Sequence, residues 1–366
     1  MHAPNNLIRE LEDAISQKDI GRRAETLRRL TDLFVSESAK YTGEQIALFD
    51  DVMRRIVKEV DISARAAFGN RLATVANAPP QVMRNLALDD AAEVAGPVLR
   101  HSEQLDDRTL VESAKTKSQD HLLAISQRKR LTEEVTDVLV ERGNRQVALN
   151  TAGNPGAAFS DFGYSSLVRR SQRDDMLAVR VWSRTDVPRQ HLLRLFVEAS
   201  EAVRLALEAA DRRKAGLMRA MVMQASNKVQ STMREESASF AAALNRVRAL
   251  QEAGALNEAR LADFAKAGKF DETVIALSML CDLPVGPIER AFAQNWSEQL
   301  LVLAKAIELS WETTKALLLL QSNAEATSDA AINDCFASFI RLHTDTAKKA
   351  LQFYRLREQA SVPVSY

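Results

Sequence analysis

Apolar residues recur at intervals of three and four along nearly the whole chain. After Thr42, the positions Ile46, Phe49, Met53, Ile56 and Val60 fall on one face of a 3.6-residue period. Thr42 followed three residues later by Gln45 reads as a capping box that opens this helix. A second stripe runs through Leu192, Phe196, Ala199, Val203, Ala206 and Ala210, and a third through Leu300, Leu303, Ile307 and Trp311. The alternation of a half-buried strand is not sustained over any comparable length. The pattern predicts an all-α protein, more than about 65% helical.

Turn and cap residues then divide the chain. Between residues 77 and 188 they come at short intervals: Ala78-Pro79-Pro80, Asp89-Asp90, Gly96-Pro97, Asp106-Asp107, Gly143-Asn144, Gly153-Asn154-Pro155-Gly156, Gly163 and Asp186-Val187-Pro188. Helices confined between such stops are about 8 to 16 residues long and bury too little alone, so they need stacked neighbours. The next proline after Pro188 is Pro284, which leaves room for long helices. Three regions are expected: a helical segment over 1–76, an array of short helix pairs over 77–188, and a region of longer helices over 189–366. An internal echo supports the array. Leu110-Val111-Glu112 returns as Leu167-Val168-Arg169, Asp120-His121-Leu122-Leu123 as Asp174-Asp175-Met176-Leu177, and Val138-Leu139-Val140 as Leu192-Leu193-Arg194, at offsets drifting from 57 to 54. That register makes Leu123 and Leu177 equivalent buried positions, with two helix pairs in each period.

The run from Leu122 to Asn144, with Gln127-Arg128-Lys129-Arg130-Leu131-Thr132-Glu133-Glu134 at its centre, followed by Asn150, Asn154, Ala157, Phe159-Ser160 and Leu167, resembles a bacterial family known only as a domain of unknown function. The likeness extends from about residue 20 to 320. It implies a solenoid of HEAT-like or leucine-rich-repeat-variant helical repeats, and it carries no catalytic residue with it.

Composition and charge narrow the function. Lys plus Arg equals Asp plus Glu at 49 each, so no global field draws the molecule onto nucleic acid or an anionic surface, and an electrostatic partner must meet a local patch. The start lacks the basic-then-apolar pattern of a secretory signal, and the longest aliphatic run is Ala316 to Leu320, so the expected setting is cytoplasmic without a membrane span. Cys281 and Cys335 lie in apolar, helix-periodic surroundings and read as buried free thiols. The chain has no phosphate loop, dinucleotide turn, nucleophile elbow or paired-histidine zinc motif. His2, His101, His121, His191 and His343 are scattered singly, which suits exposed or capping roles. Catalytic, cofactor and metal residues are therefore assigned to none. The acidic pairs at turns read as helix caps, and Trp182, Trp296 and Trp311 as core residues.

One asymmetry points to a surface. From Leu86 to Arg108, six acids outnumber the two bases Arg100 and Arg108; from Tyr164 to Arg194, seven arginines outnumber Asp174, Asp175 and Asp186. With Arg128, Lys129 and Arg130 one unit earlier, the candidates Arg169, Arg170, Arg173, Arg180 and Arg184 could form a basic ridge for acidic helices or phosphates. The first expectation is a binding scaffold or regulatory adaptor for another protein. The alternatives are a nucleic-acid backbone binder and an enzyme whose site is assembled across repeats. The stripe through Leu192, Phe196 and Val203 has the spacing of a helix-pairing seam, interrupted at Arg213. It predicts one long helix over Arg189 to about Gln230, or two broken near Gly216, packed on helices after Ser328 or on a second copy.

Overall fold

A computed structural model describes residues 20–210, 215–293, 298–322 and 329–360. Among them are twenty-one α-helices, with 79% helix and no strands. The all-α expectation holds. The chain divides into two units, Met1–Arg170 with Asp174–Arg184, and Ser171–Arg173 with Thr185–Tyr366.

The first unit carries α1 (Ile20–Glu37), α2 (Gly43–Val57), α3 (Ile62–Leu72), α4 (Pro80–Ala87), α5 (Ala92–His101), α6 (Asp107–Thr116), α7 (Gln119–Ser126), α8 (Glu133–Arg142), α9 (Arg145–Gly153), α10 (Asp161–Ser171) and α11 (Asp175–Trp182). Their starts follow from local chemistry. Thr42 accepts the Gln45 N–H at 3.3 Å while the Gln45 side chain accepts the Thr42 N–H at 2.9 Å, so the capping box is complete. Asp61, Asp106, Asn144 and Asp174 each accept a backbone N–H three residues on. The pair Asp89-Asp90 departs from this scheme. Asp89 accepts the Arg65 Nε at 2.8 Å and Asp90 the Lys117 Nζ at 2.6 Å, and α5 starts without a side-chain cap. Gly96-Pro97 also departs, because it lies inside α5 instead of ending it. The start of α4, Pro79-Pro80, has no cap of its own. Asp50, buried on α2, supplies it from another helix, accepting the Gln81 and Val82 N–H groups at 3.2 and 2.8 Å.

Packing follows a simple order. Along one row α1, α3, α5, α7, α9 and α11 each pack on the next member, and along the other α2, α4, α6 and α8 do the same. Between the rows lies a core of fully buried Leu72, Leu86, Val98, Leu99, Leu122, Ile125 and Leu139. No helix of eight to eleven residues could hold that core alone. Aligned on their N-caps, Ser118 and Asp174, α7 and α11 place His121 opposite Leu177 and Ile125 opposite Val181. Leu123 is only half-buried, so the register that paired it with Leu177 is shifted by two residues. The cause is that the echo matched Asp120 with Asp174, whereas the N-cap position of α7 is held by Ser118. His121 is not exposed either; it is buried between Ser118 Oγ, 2.8 Å from its Nδ1, and the Asp89 carbonyl, 2.9 Å from its Nε2.

The second unit begins with two long helices, α12 (Arg189–Ala210) and α13 (Ala215–Glu235), followed by α14 (Ala238–Glu252), α15 (Glu258–Lys266), α16 (Phe270–Cys281), α17 (Val285–Ala293), α18 (Glu298–Ala306), α19 (Trp311–Ser322), α20 (Asp329–Arg341) and α21 (Thr344–Ala360). The expected long stretch is thus two helices, and Gly216 lies in the first turn of the second. They pack chiefly on each other and on α17, instead of on the helices after Ser328. Arg213 lies outside the described residues. Helix α16 is the centre of the remaining bundle, with Val274, Ile275, Ala276, Leu277 and Cys281 all buried. Burial pushes the Cys281 thiol up to about 12, which marks it as a core residue. His191 is buried as well.

The roots of α12 and α13 are fixed by a buried ionic latch. Arg189, the first residue of α12, donates Nε and Nη2 to Asp271 Oδ1 at 2.8 and 2.6 Å and Nη1 to Glu289 Oε1 at 2.5 Å. Arg234, in the last turn of α13, donates to the second oxygen of Glu289, also at 2.5 Å. The Arg189 guanidinium stands 4.7 Å from the Phe240 ring centroid and 5.7 Å from that of Phe270. The side chain of Glu289 is 0% exposed, so one carboxylate holds both ends of the two-helix arm.

On α12 itself, Glu198 accepts the Gln172 amide at 2.9 Å through one oxygen while its Oε2 is buried without a partner among the described residues. Desolvation raises its pKa above the ordinary carboxylate range. An acid whose folded pKa is raised weakens the fold once the pH exceeds its unfolded value, and it costs nothing below that value. Glu198→Gln is therefore expected to raise the melting temperature at pH 7, with the gain vanishing below about pH 4. Paired thermal melts across that range provide the check.

Candidate interaction surface

Helices that end inside an array leave carbonyls without partners, and the protein answers with arginines. On one edge of the first unit, Arg128 reaches back to the end of α5, donating Nη1 to the Leu99 carbonyl at 2.5 Å and Nη2 to that of Ser102 at 2.7 Å. Asn154 does the same for α7, at the Ser126 and Arg128 carbonyls. Arg184 serves α9, donating to the carbonyls of Ala152 at 3.1 Å, Asn154 at 2.8 Å and Ala157 at 2.8 Å, with its guanidinium 4.7 Å from the Phe159 centroid. On the opposite edge, where the other row ends, Arg142 donates to the Ala114 carbonyl and Arg170 to that of Val140 at 2.6 Å. Burial lowers the pKa of both Arg128 and Arg170, and a cation at the negative end of a helix offsets part of that cost. The separations of 29, 28 and 30 residues for Arg128→Leu99, Arg142→Ala114 and Arg170→Val140 give the physical period, about half that of the sequence echo. Hydrogen bonds from a charged donor contribute about 1.5–3 kcal/mol, so Arg184→Ala is expected to cost about that much in urea unfolding.

The eight sequence candidates are thus not one ridge. Arg128, Lys129, Arg130, Arg180 and Arg184 belong to the edge where α5, α7 and α9 end. Arg169 and Arg170 belong to the opposite edge, and Arg173 belongs to the second unit. Within the first group, Arg128 and Arg184 are turned onto backbone carbonyls, while Lys129, Arg130 and Arg180 are exposed. Their loops are pressed together. The Leu131 N–H donates to the Gly156 carbonyl at 3.0 Å, and a Cβ at Gly156 would stand 1.8 Å from the Lys129 carbonyl oxygen, so only glycine fits. Arg180 lies across Gly153, where a Cβ would meet its Nη1 at 2.3 Å.

Sequence reading missed what accompanies these charges. On α11, Leu177 and Val181 face the core, leaving Met176, Val179 and Trp182, at 54%, 59% and 45% exposure, on the outer side. The three are spaced i, i+3, i+6 and form one stripe. Trp182 is therefore a surface residue and not a core one. The signal was present, since eight residues with two apolar stripes carry more than one buried face requires. Trp311 packs on Phe336 and Phe339, with ring centroids 5.0 and 5.6 Å away; Trp296 lies outside the described residues.

A family model described as "Uncharacterised protein conserved in bacteria (DUF2336)" matches residues 94–352. The chain belongs to DUF2336. The DUF2336 match begins within α5 and ends within α21, so it takes in the basic edge, the stripe on α11 and both long helices. No curated protein and no solved structure matches. Among the described residues, no helix is long and apolar enough to cross a membrane, and no three His, Cys, Asp or Glu side chains converge to hold a metal ion.

Proposed function

We propose that this DUF2336 chain is a HEAT-like helical-repeat adaptor that binds an acidic, amphipathic segment of another protein along the basic edge of its first unit. The observation that carries the reading is the exposed stripe Met176, Val179 and Trp182 beside Arg180, on the edge that also holds Lys129 and Arg130. An apolar stripe rimmed by one sign of charge suits a helix with apolar anchors and carboxylates. The row-by-row packing of α1 to α11 supports the repeat architecture, because such arrays offer extended surfaces built from successive units. The proposed setting is cytoplasmic, in keeping with Cys281 as a buried thiol.

The test is a fluorescence anisotropy titration with a labelled 20-residue helical peptide bearing Leu at i, i+3, i+7 and Glu elsewhere, run beside a 20-base-pair DNA duplex. Peptide binding that weakens at least tenfold in Trp182→Ala and with added salt supports the reading. Binding of the duplex alone overturns it in favour of a nucleic-acid backbone binder.

A further inference from the structure

The two long helices of the second unit leave large apolar side chains in solvent while their charges pair. Along α12, Arg204 donates to Glu201 at 2.8 Å and to Glu208 at 2.7 Å, and Arg219 of α13 donates to Glu208 at 3.2 Å from across the pair. Arg204 and Glu208 keep only 21% and 18% of their side-chain surface exposed. Four large apolar residues stand outside. Val203 and Leu207, one turn apart on α12, and Leu217 and Met221, one turn apart on α13, are 53%, 38%, 59% and 56% exposed. The seam read in the sequence is therefore covered only at its root. Leu192 and Phe196 are half-buried, whereas Ala199, Val203 and Ala206 are exposed.

We infer that this arm pairs with the same arm of a second copy of the chain, forming an intermolecular four-helix bundle whose core is the outward ridges of Val203, Leu207, Leu217 and Met221. Two observations favour a copy over another partner. Arg204, Arg219, Glu201 and Glu208 pair with one another, so the charges beside the ridges are matched within the arm, and the apolar ridges complement themselves better than they complement a strongly charged partner. The area is sufficient. The four large side chains leave roughly 350 Å² uncovered in each copy, and with the small exposed Ala199, Ala206 and Ala220 a two-fold pairing covers on the order of 1,000 Å², the scale at which association becomes specific. The small residues also permit the close helix approach that such a bundle needs. The latch at Arg189, Glu289 and Arg234 holds the root of the arm, so the ridges are presented on a fixed base.

The full chain at about 50 μM is examined by light scattering coupled to gel filtration, beside the double variant Val203→Glu, Met221→Glu. A mass near twice 40.6 kDa for the natural chain, falling to 40.6 kDa in the variant with its helical circular dichroism and melting transition unchanged, is the expected result. A second measurement does not depend on that variant. Ala206→Cys in a Cys335→Ser background is expected to form a disulfide-linked dimer on mild oxidation, at a rate at least tenfold above the exposed control Ala238→Cys. A monomeric natural chain at 50 μM overturns the proposal, as does a dimer that survives the double variant. Flotation of a monomer with anionic lipid vesicles, abolished by the same variant, would overturn it in favour of a membrane surface.

Discussion

Replacing Glu289 by alanine is expected to lower the stability of the second unit by about 3–5 kcal/mol, because it leaves buried charge without a partner. The Glu289 carboxylate is fully buried and accepts one hydrogen bond from Arg189 and one from Arg234. Without it Arg189 keeps only Asp271, and Arg234 loses the only acid it pairs with among the described residues. Glu289→Gln keeps the shape and one acceptor and is expected to fall between alanine and the natural residue. Replacing Arg189, Asp271, Glu289 and Arg234 together by apolar residues of similar volume should cost far less than Glu289→Ala, as the desolvation of the ions disappears with their attraction. Urea unfolding followed by circular dichroism provides the values. A cost below about 1 kcal/mol for Glu289→Ala would mean that water reaches the latch and that it does not fix the roots of α12 and α13.

The second large effect separates two registers of α7 against α11. Ile125→Ala is expected to cost about 2–5 kcal/mol, the range for a large-to-small change in a packed core, while Leu123→Ala costs less than about 1 kcal/mol. Ile125 is fully buried in the row of α5, α7 and α9, whereas Leu123 is half-buried. A small cost at Leu123 runs against the sequence echo, which makes Leu123 and Leu177 equivalent buried positions.

That mismatch shows what was legible. The caps Thr42, Asp106 and Asp174 could be read because a cap and the N–H it accepts lie within three residues of each other. The helical class was legible for the same reason, since the period of a helix is local. The register was not, because the N-cap position is Ser118 in α7 and Asp174 in α11, and matching acid to acid slid one helix against the other. Asp50 capping α4 was beyond reach, since donor and acceptor are 31 and 32 residues apart and no side chain at Pro79-Pro80 announces the need. The arginine stretch was read as one surface because sequence shows charge and hides direction. Arg128, Arg170 and Arg184 are drawn inward by helix ends that become neighbours only on folding. The Arg189–Glu289 pair spans 100 residues and carries no local mark. On α11, by contrast, the excess of apolar residues was visible, and assigning every one of them to the core concealed Trp182.

Binding through the basic edge is tested most directly by affinity capture of the tagged chain from its own cells, in parallel with two charge-reversed forms, one carrying Lys129→Glu, Arg130→Glu and Arg180→Glu, the other carrying Arg169→Glu on the opposite edge. The sites altered are exposed, so both variants are expected to keep the natural melting temperature within about 2 °C. Mass spectrometry should then show at least one protein recovered with the natural chain and the Arg169 variant, but reduced at least tenfold with the triple variant, and unaffected by nuclease. Equal recovery with all three forms, or recovery that nuclease abolishes, would contradict the basic edge as a protein-binding surface.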